Sequence, residues 1–257
     1  MNNSTIMKSV TKPGRYSGGE YNQIIKNKNQ VKARWAFCFP DSYEIGMSNL
    51  GVRILYGVLN AEDDIWCERV YTPWADMQEK MSQYDIPLTS LESKDPLTAF
   101  DIVGFTLQYE MSYTNVLNML KLAGIPLRSG DRGEDAPIII GGGPCAYNAE
   151  PVADFFDCFS IGEGEDMLVE FTKLYIKMKE QGNYSKSEFL HEAARTISGI
   201  YVPSLYSVEY NEDGTIKAYT PIFDDIPSKI TKRIIEDMDK AFFPEKVVMP
   251  YIETVHD

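Results

Sequence analysis

Pro137-Ile138-Ile139-Ile140-Gly141-Gly142-Gly143-Pro144-Cys145 opens the stretch that decides the fold, and Asp157-Cys158-Phe159-Ser160-Ile161-Gly162-Glu163-Gly164-Glu165-Asp166 closes it. Residues 138–140 are a β-branched apolar run with no polar alternation. Such a run is buried on both faces, as in a central parallel strand. It ends in three glycines, which put almost no side chain over the end of the strand, so a second backbone or a flat ligand can approach closely. Residues 157–161 repeat the arrangement as the next strand, with residues 162–166 as its exit loop. Ligands of open α/β sheets sit outside the carboxyl ends of the strands. Two glycine-rich exits on neighbouring strands would therefore form one floor. Plain strand-to-helix turns with nothing bound use the same residues, and glycines alone do not choose between the two readings.

Working outward, residues 31–39 alternate and then become wholly apolar, which predicts the first strand. A helix over about residues 48–60 follows, with Leu50, Ile54, Leu55, Val58 and Leu59 on one face. Residues 65–71 read as an edge-like strand. Thr72 is then expected to cap the next helix, with Pro73 at its first position and Asp76 in its first turn. That helix fades near Tyr84, and residues 86–91 form a short extended piece. Residues 100–107 are the third strand. Tyr113, Val116, Leu117, Leu120 and Ala123 stripe a helix that Gly124 closes and Pro126 stops. Beyond the two glycine-ended strands, a helix over residues 165–179 carries Leu168, Phe171, Tyr175 and Met178 inward.

Strands alternating with helices predict an α/β fold, a parallel sheet with helices on both faces. The carboxyl strand ends near Phe39, Leu107, Gly141 and Gly162 should then cluster at one edge. Near Gln181-Gly182-Asn183 the character changes. A helix over residues 186–197 comes next, then a β-hairpin whose arms, 205–210 and 215–220, flank Asn211-Glu212-Asp213-Gly214. The chain divides into a polar amino-terminal arm (1–30), an α/β domain (31–180), and a helix, hairpin and linker (181–257).

The 257 residues carry a net charge of −13, which argues against direct nucleic-acid binding by this part of the chain. Seven carboxylates and no Lys or Arg lie between Glu150 and Glu170. A phosphate near residues 141–143 would have to be held by backbone N–H groups and helix amino ends. No apolar run is long enough to span a bilayer, and the first residues lack the apolar core of a signal peptide, so a cytoplasmic location without membrane contact is expected. The four cysteines, Cys38, Cys67, Cys145 and Cys158, show no Cys-x-x-Cys spacing and signal neither zinc nor an iron–sulfur cluster. Cys38 and Cys158 read as core residues; Cys145 follows the Gly-Gly-Gly-Pro turn and could face the floor, although a free cysteine is more often simply buried. Of the two histidines, His191 and His256, the first reads as a surface or packing residue.

The order of the glycine-rich residues is more specific than their composition. Gly141-Gly142-Gly143-Pro144, then Pro151, Asp154, Asp157 and Gly162-Glu163-Gly164-Glu165, resembles the amino-terminal cobalamin-binding-like domain of radical S-adenosylmethionine (radical SAM) proteins. Glu150-Pro151 stands where that family reads Pro-Glu. The resemblance takes in residues 40–51 (Pro-Asp-Ser-Tyr-Glu-Ile-Gly-Met-Ser-Asn-Leu-Gly), Lys12-Pro13-Gly14-Arg15-Tyr16 and Gly18-Gly19-Glu20-Tyr21. It implies a flavodoxin-like doubly wound parallel sheet fused to a radical SAM core.

Cobalamin-dependent mutases and methyltransferases read Asp-x-His-x-x-Gly after the first strand. Here the loop has Asp41 and Gly46 but Tyr43 in the histidine's place, and a phenol is a poor cobalt ligand beside an imidazole. The resemblance therefore implies either cobalamin bound without a His ligand, serving the following core, or an accessory domain with no corrin that shapes the core's substrate pocket. A free-standing flavin or nucleotide binder is a weaker reading, since no Gly-x-Gly-x-x-Gly follows the first strand. The expected cofactor-binding residues are Asp41, Tyr43, Thr106, Gly141, Gly142, Gly143, Gly162 and Glu163, with no catalytic or metal-ligating residue in the chain.

Radical SAM chemistry needs a cysteine triplet to hold a four-iron cluster, and this sequence has none. In the resembling proteins, a segment like Val247-Val248-Met249-Pro250 through Val255-His256-Asp257 precedes the strand that leads into the cluster loop. The chain is thus expected to stop at a domain junction, to be inert alone as a radical enzyme, and to have its own radical SAM core as its partner. The iron–sulfur cluster and S-adenosylmethionine would belong to that core.

Overall fold

A computed structural model describes residues 6–182 and 184–249. The last residues of the carboxyl-terminal segment singled out above, 250–257, lie outside the described residues. Six strands form the central sheet: β1 (Ala33–Phe39), β2 (Ile65–Tyr71), β3 (Ile102–Thr106), β4 (Ile138–Gly142), β5 (Cys158–Ser160) and β6 (Ile200–Tyr201). Their order is β2-β1-β3-β4-β5-β6. The first five run parallel, and β6 pairs antiparallel with β5. This is the doubly wound, flavodoxin-like arrangement. The sixth strand was not expected: two residues, Ile200 and Tyr201, are too few to give a period.

The helices are α1 (Tyr43–Ser48), α2 (Leu50–Ala61), α3 (Ala75–Tyr84), α4 (Tyr113–Leu122), α5 (Glu165–Glu180) and α6 (Lys186–Thr196). The chain reverses its direction across the sheet after β2. Right-handed crossovers therefore place α2 on one face and α3 and α4 on the other. α5 returns to the α2 side, where the Trp35 indole N–H donates to Thr172 Oγ1 at 2.9 Å. Trp35, Phe171 and Phe189 are fully buried and stack edge-on in sequence. Strands β7 (Tyr206–Tyr210) and β8 (Ile216–Pro221) form the separate hairpin.

Two local expectations need correction. The third helix begins at Ala75, with Trp74 rather than Thr72 at its cap and no side-chain capping bond. The arm holds this end of the helix instead. The Trp74 N–H donates to Tyr16 Oη at 3.0 Å, and Asp76 accepts from Thr11 N at 2.7 Å and Thr11 Oγ1 at 2.8 Å. Thr72 Oγ1 turns instead to Met119 Sδ. β2 is indeed the edge strand, yet all seven of its residues are buried. The arm runs along it: Trp66 Nε1 donates to Ile24 O at 3.0 Å, and Lys26 Nζ to Ile65 O at 2.6 Å. Covering the edge in this way removes a template for pairing with other chains.

Candidate functional site at the carboxyl edge of the sheet

Parallel register brings the ends of β3, β4 and β5 level: Thr106 pairs with Gly142, and Gly141 with Phe159. Alternate residues of these strands face α2 and α5. Trp35, Gly104, Thr106, Ile140, Gly142 and Ser160 make one wall of a cleft of about 220 Å³. Gly51, Ile54 and Leu55 of α2 and Leu168 of α5 make the other. Its mouth opens at the carboxyl edge between Gln108, Gly143 and Gly162-Glu163.

Six of the eight residues expected from sequence line this cleft: Thr106, Gly141, Gly142, Gly143, Gly162 and Glu163. The space the glycines clear is largely taken by the protein itself. A Cβ at Gly141 would meet the Phe159 ring at 2.8 Å, and one at Gly142 would meet Ser160 Oγ at 2.5 Å. Gly162 has φ +107°, and the backbone of Arg233 lies 2.2 Å from where its Cβ would be. Arg233 N donates to Ile161 O at 2.9 Å and Glu163 N to Arg233 O at 3.1 Å, so the linker adds a strand-like bridge beside β5. The Ile235 N–H also donates to the Glu163 carboxylate. The result is a slot between sheet and helices, strapped on one side by the linker, rather than an open floor.

Asp41 and Tyr43 do not line this slot. Asp41 accepts from Ser42 N at 2.6 Å and from Tyr109 Oη at 2.8 Å, tying the loop after β1 to the loop after β3. Tyr43 donates to Glu20 Oε1 at 3.0 Å and packs edge-on against Tyr71. Burial and the Glu20 carboxylate push its phenol well above the ordinary tyrosine range. A phenol so held is neither ionised nor directed at the slot. Cys145 also lies outside it, half-buried, its N–H bonded to Leu107 O at 3.0 Å. Burial, with Cys145 alongside, pushes Tyr113 up to about 12.

Electrostatically the slot is acidic. Glu163 and Glu165 line it, and no Lys or Arg does. The amino end of α5 offers partial positive charge, but Glu165 and Asp166 occupy its first turn. The slot therefore suits a neutral or cationic flat group and disfavours a phosphate. Its lining also includes Trp35, Gln108 and Ser160, which sequence reasoning did not single out. The alternation of β1 and the two-residue step from Thr106 to Gln108 were the signals available. Among the described residues, no group of three His, Cys, Asp or Glu side chains is placed to hold a metal ion, and no helix is long and apolar enough to cross a membrane.

The profile of the family described as radical SAM proteins, N-terminal, matches residues 51–203, the span from α2 to just beyond β6. The chain belongs to that family. An uncharacterised protein of Methanocaldococcus jannaschii is similar over 152 residues at 29% identity, covering 59% of this chain and 28% of the relative. The chain thus spans little more than a quarter of that relative's length. No solved structure matches.

Proposed function

We propose that the chain is the amino-terminal accessory domain of a radical SAM protein and that its carboxyl-edge slot takes the planar appendage of a cobalamin-type cofactor. The observation that carries this reading is the slot itself: six residues from three strand ends line one cleft with an open mouth. At about 220 Å³ it is below the usual range for a whole drug-sized ligand, so it holds part of a larger molecule. Gly142, Ile54 and Leu55 would hold a flat base, and Gly143 and Glu163 stand at the mouth where the rest of the molecule would be held. Tyr43 is committed to Glu20 and would not serve as a cobalt ligand. Bound in this way, the cofactor would supply a methyl carrier to the following core. The chain's own part is to bind it, keep water from its flat face and hold it at the sheet edge.

A second reading is favoured by a different observation. Phe159, Ser160 and the Arg233 backbone already occupy the space beside the glycines, as in an accessory domain that holds no corrin. Titration with hydroxocobalamin, followed by its visible spectrum, separates the two. The cofactor reading expects a saturable spectral change, and weaker binding of cobinamide, which lacks the planar nucleotide base. No change with either compound would leave the corrin-free accessory domain.

A further inference from the structure

Three motifs singled out in the sequence, residues 12–16, 18–21 and 40–51, place only Gly51 in the slot. Arg15, Tyr16 and Tyr43 of these motifs meet at the far side of the sheet, near the carboxyl end of β2, where the arm folds over the edge. There a second cavity of about 310 Å³ opens between the arm, α3 and the extended piece at residues 86–91. Met77, Met81, Ile86 and Leu88 form its apolar wall, and Tyr43 and Tyr71 its floor. Methionines make such a wall adaptable to an irregular apolar guest.

The charge of this cavity runs against that of the chain. The sequence has 38 acidic and 25 basic residues, yet the cavity is lined by Arg15 and Lys94 and by no Asp or Glu. Lys94 sits at φ +63°, a left-handed conformation uncommon for a residue other than glycine. Such strain persists only where the surrounding structure fixes it, and it clusters at ligand sites. The ammonium donates to Tyr16 O at 3.0 Å, and among the described residues no carboxylate pairs with it within 4.0 Å. Gly18 clears its path: a Cβ there would lie 2.9 Å from Lys94 Nζ. Burial holds the amine below its ordinary value, although the more distant Glu20 and Glu92 carboxylates act in the opposite direction. Arg15 is held by Glu44 at 2.9 Å through Nε and stacks 4.8 Å over Trp74. Its two terminal nitrogens carry no hydrogen bond among the described residues.

We infer that this cavity binds a small carboxylic acid with an apolar body, its carboxylate between Lys94 and Arg15 and its chain or ring against Met77 and Met81. The site is separate from the carboxyl-edge slot and does not depend on what that slot holds.

The test is calorimetric titration of the whole chain with decanoate. One-to-one binding is expected, at least about tenfold weaker in Lys94→Asn, since a hydrogen bond to a charged group is worth more than a decade in affinity. Asparagine tolerates the left-handed backbone, so this variant should fold. Lys94→Arg should restore binding, and Met81→Trp, which fills the cavity, should abolish it. Circular dichroism and a melting curve on each variant separate lost binding from lost fold. Equal affinity for decanol would overturn the inference, as would undiminished binding by folded Lys94→Asn, or no heat with decanoate from the folded chain. Binding by a chain lacking residues 1–5 but not by the whole chain would also overturn it, because the cavity would then be filled from within.

Discussion

The carboxyl edge at β4–β5 and the outer edge at β2 solve opposite problems. At the exits of β4 and β5 the sequence removes side chains, and neighbouring backbone and aromatic rings move into the space. At the β2 edge it buries charge. Arg69 is 1% exposed, and its guanidinium meets Glu92 at 2.6 Å and Glu20 at 2.9 Å. Tyr43 donates to the same Glu20, and the Arg69 guanidinium lies 5.2 Å from the Tyr56 ring. Glu68, fully buried, is held by Arg34 at 2.5 Å, Ser90 at 2.7 Å and the Ser93 N–H at 2.9 Å. Packing against glycine makes a shaped cleft at little electrostatic cost. A buried ion network has a large desolvation cost and holds only while every member is paired. The first edge is therefore the adaptable one, and the second is the clamp that fastens the arm.

Breaking the clamp should have the largest effect. Arg69→Met leaves Glu20 and Glu92 buried without their cation, and about 3–5 kcal/mol of stability should be lost in urea unfolding. Retention of wild-type stability would show that the carboxylates take up protons or water at no cost, and the contrast between the edges would fail.

Next comes the slot edge. Gly162→Ala forces an L side chain onto φ +107° and into the Arg233 backbone. A loss of about 1–3 kcal/mol is expected, with faster amide exchange at Arg233 and Ile235 as the strap lifts. Exchange unchanged at those two amides would mean the linker is held elsewhere.

The clamp also predicts a pH dependence. Burial would by itself raise the Glu20 carboxyl, but Arg69 and Tyr43 outweigh it and hold it below its ordinary 4.5. A group depressed in the folded state contributes stability above its unfolded value and loses it as pH falls through the folded value. Acid unfolding should therefore steepen below about pH 4.5 in the wild type and be shallower in Glu20→Gln. Identical acid profiles would remove Glu20 from the clamp. The smallest effect is expected at the hairpin, where Lys217 and Glu209 pair at 3.1 Å in the open. Lys217→Ala should leave the melting temperature unchanged, because exposed pairs contribute little.

The two edges also differed in how far they could be read from sequence. Residues 138–142 and 157–164 declared the slot because apolar runs and glycines act locally, within one strand and its exit. Five strands and their helices followed from the same kind of signal. The clamp was invisible because Arg69 finds partners 23 residues ahead, at Glu92, and 49 residues behind, at Glu20. Nothing in a charged residue's neighbours announces such a distant partner. The start of α3 was misplaced for a related reason: it is fixed by distant residues of the arm, with Tyr16 Oη accepting the Trp74 N–H and Thr11 donating to Asp76. Tyr43 illustrates both sides. Its position after β1 marked it as a cofactor residue, and its contact with Glu20 shows it serving the clamp.

The proposed entry point for ligand is the slot around Gly142. Paired hydroxocobalamin titrations of the wild type and of Gly142→Leu test it. Leucine there would fill the cleft and press on Ser160 while leaving the buried core of the sheet intact. A saturable spectral change in the wild type that disappears in a folded Gly142→Leu protein is the predicted result. Undiminished binding by that variant would contradict it.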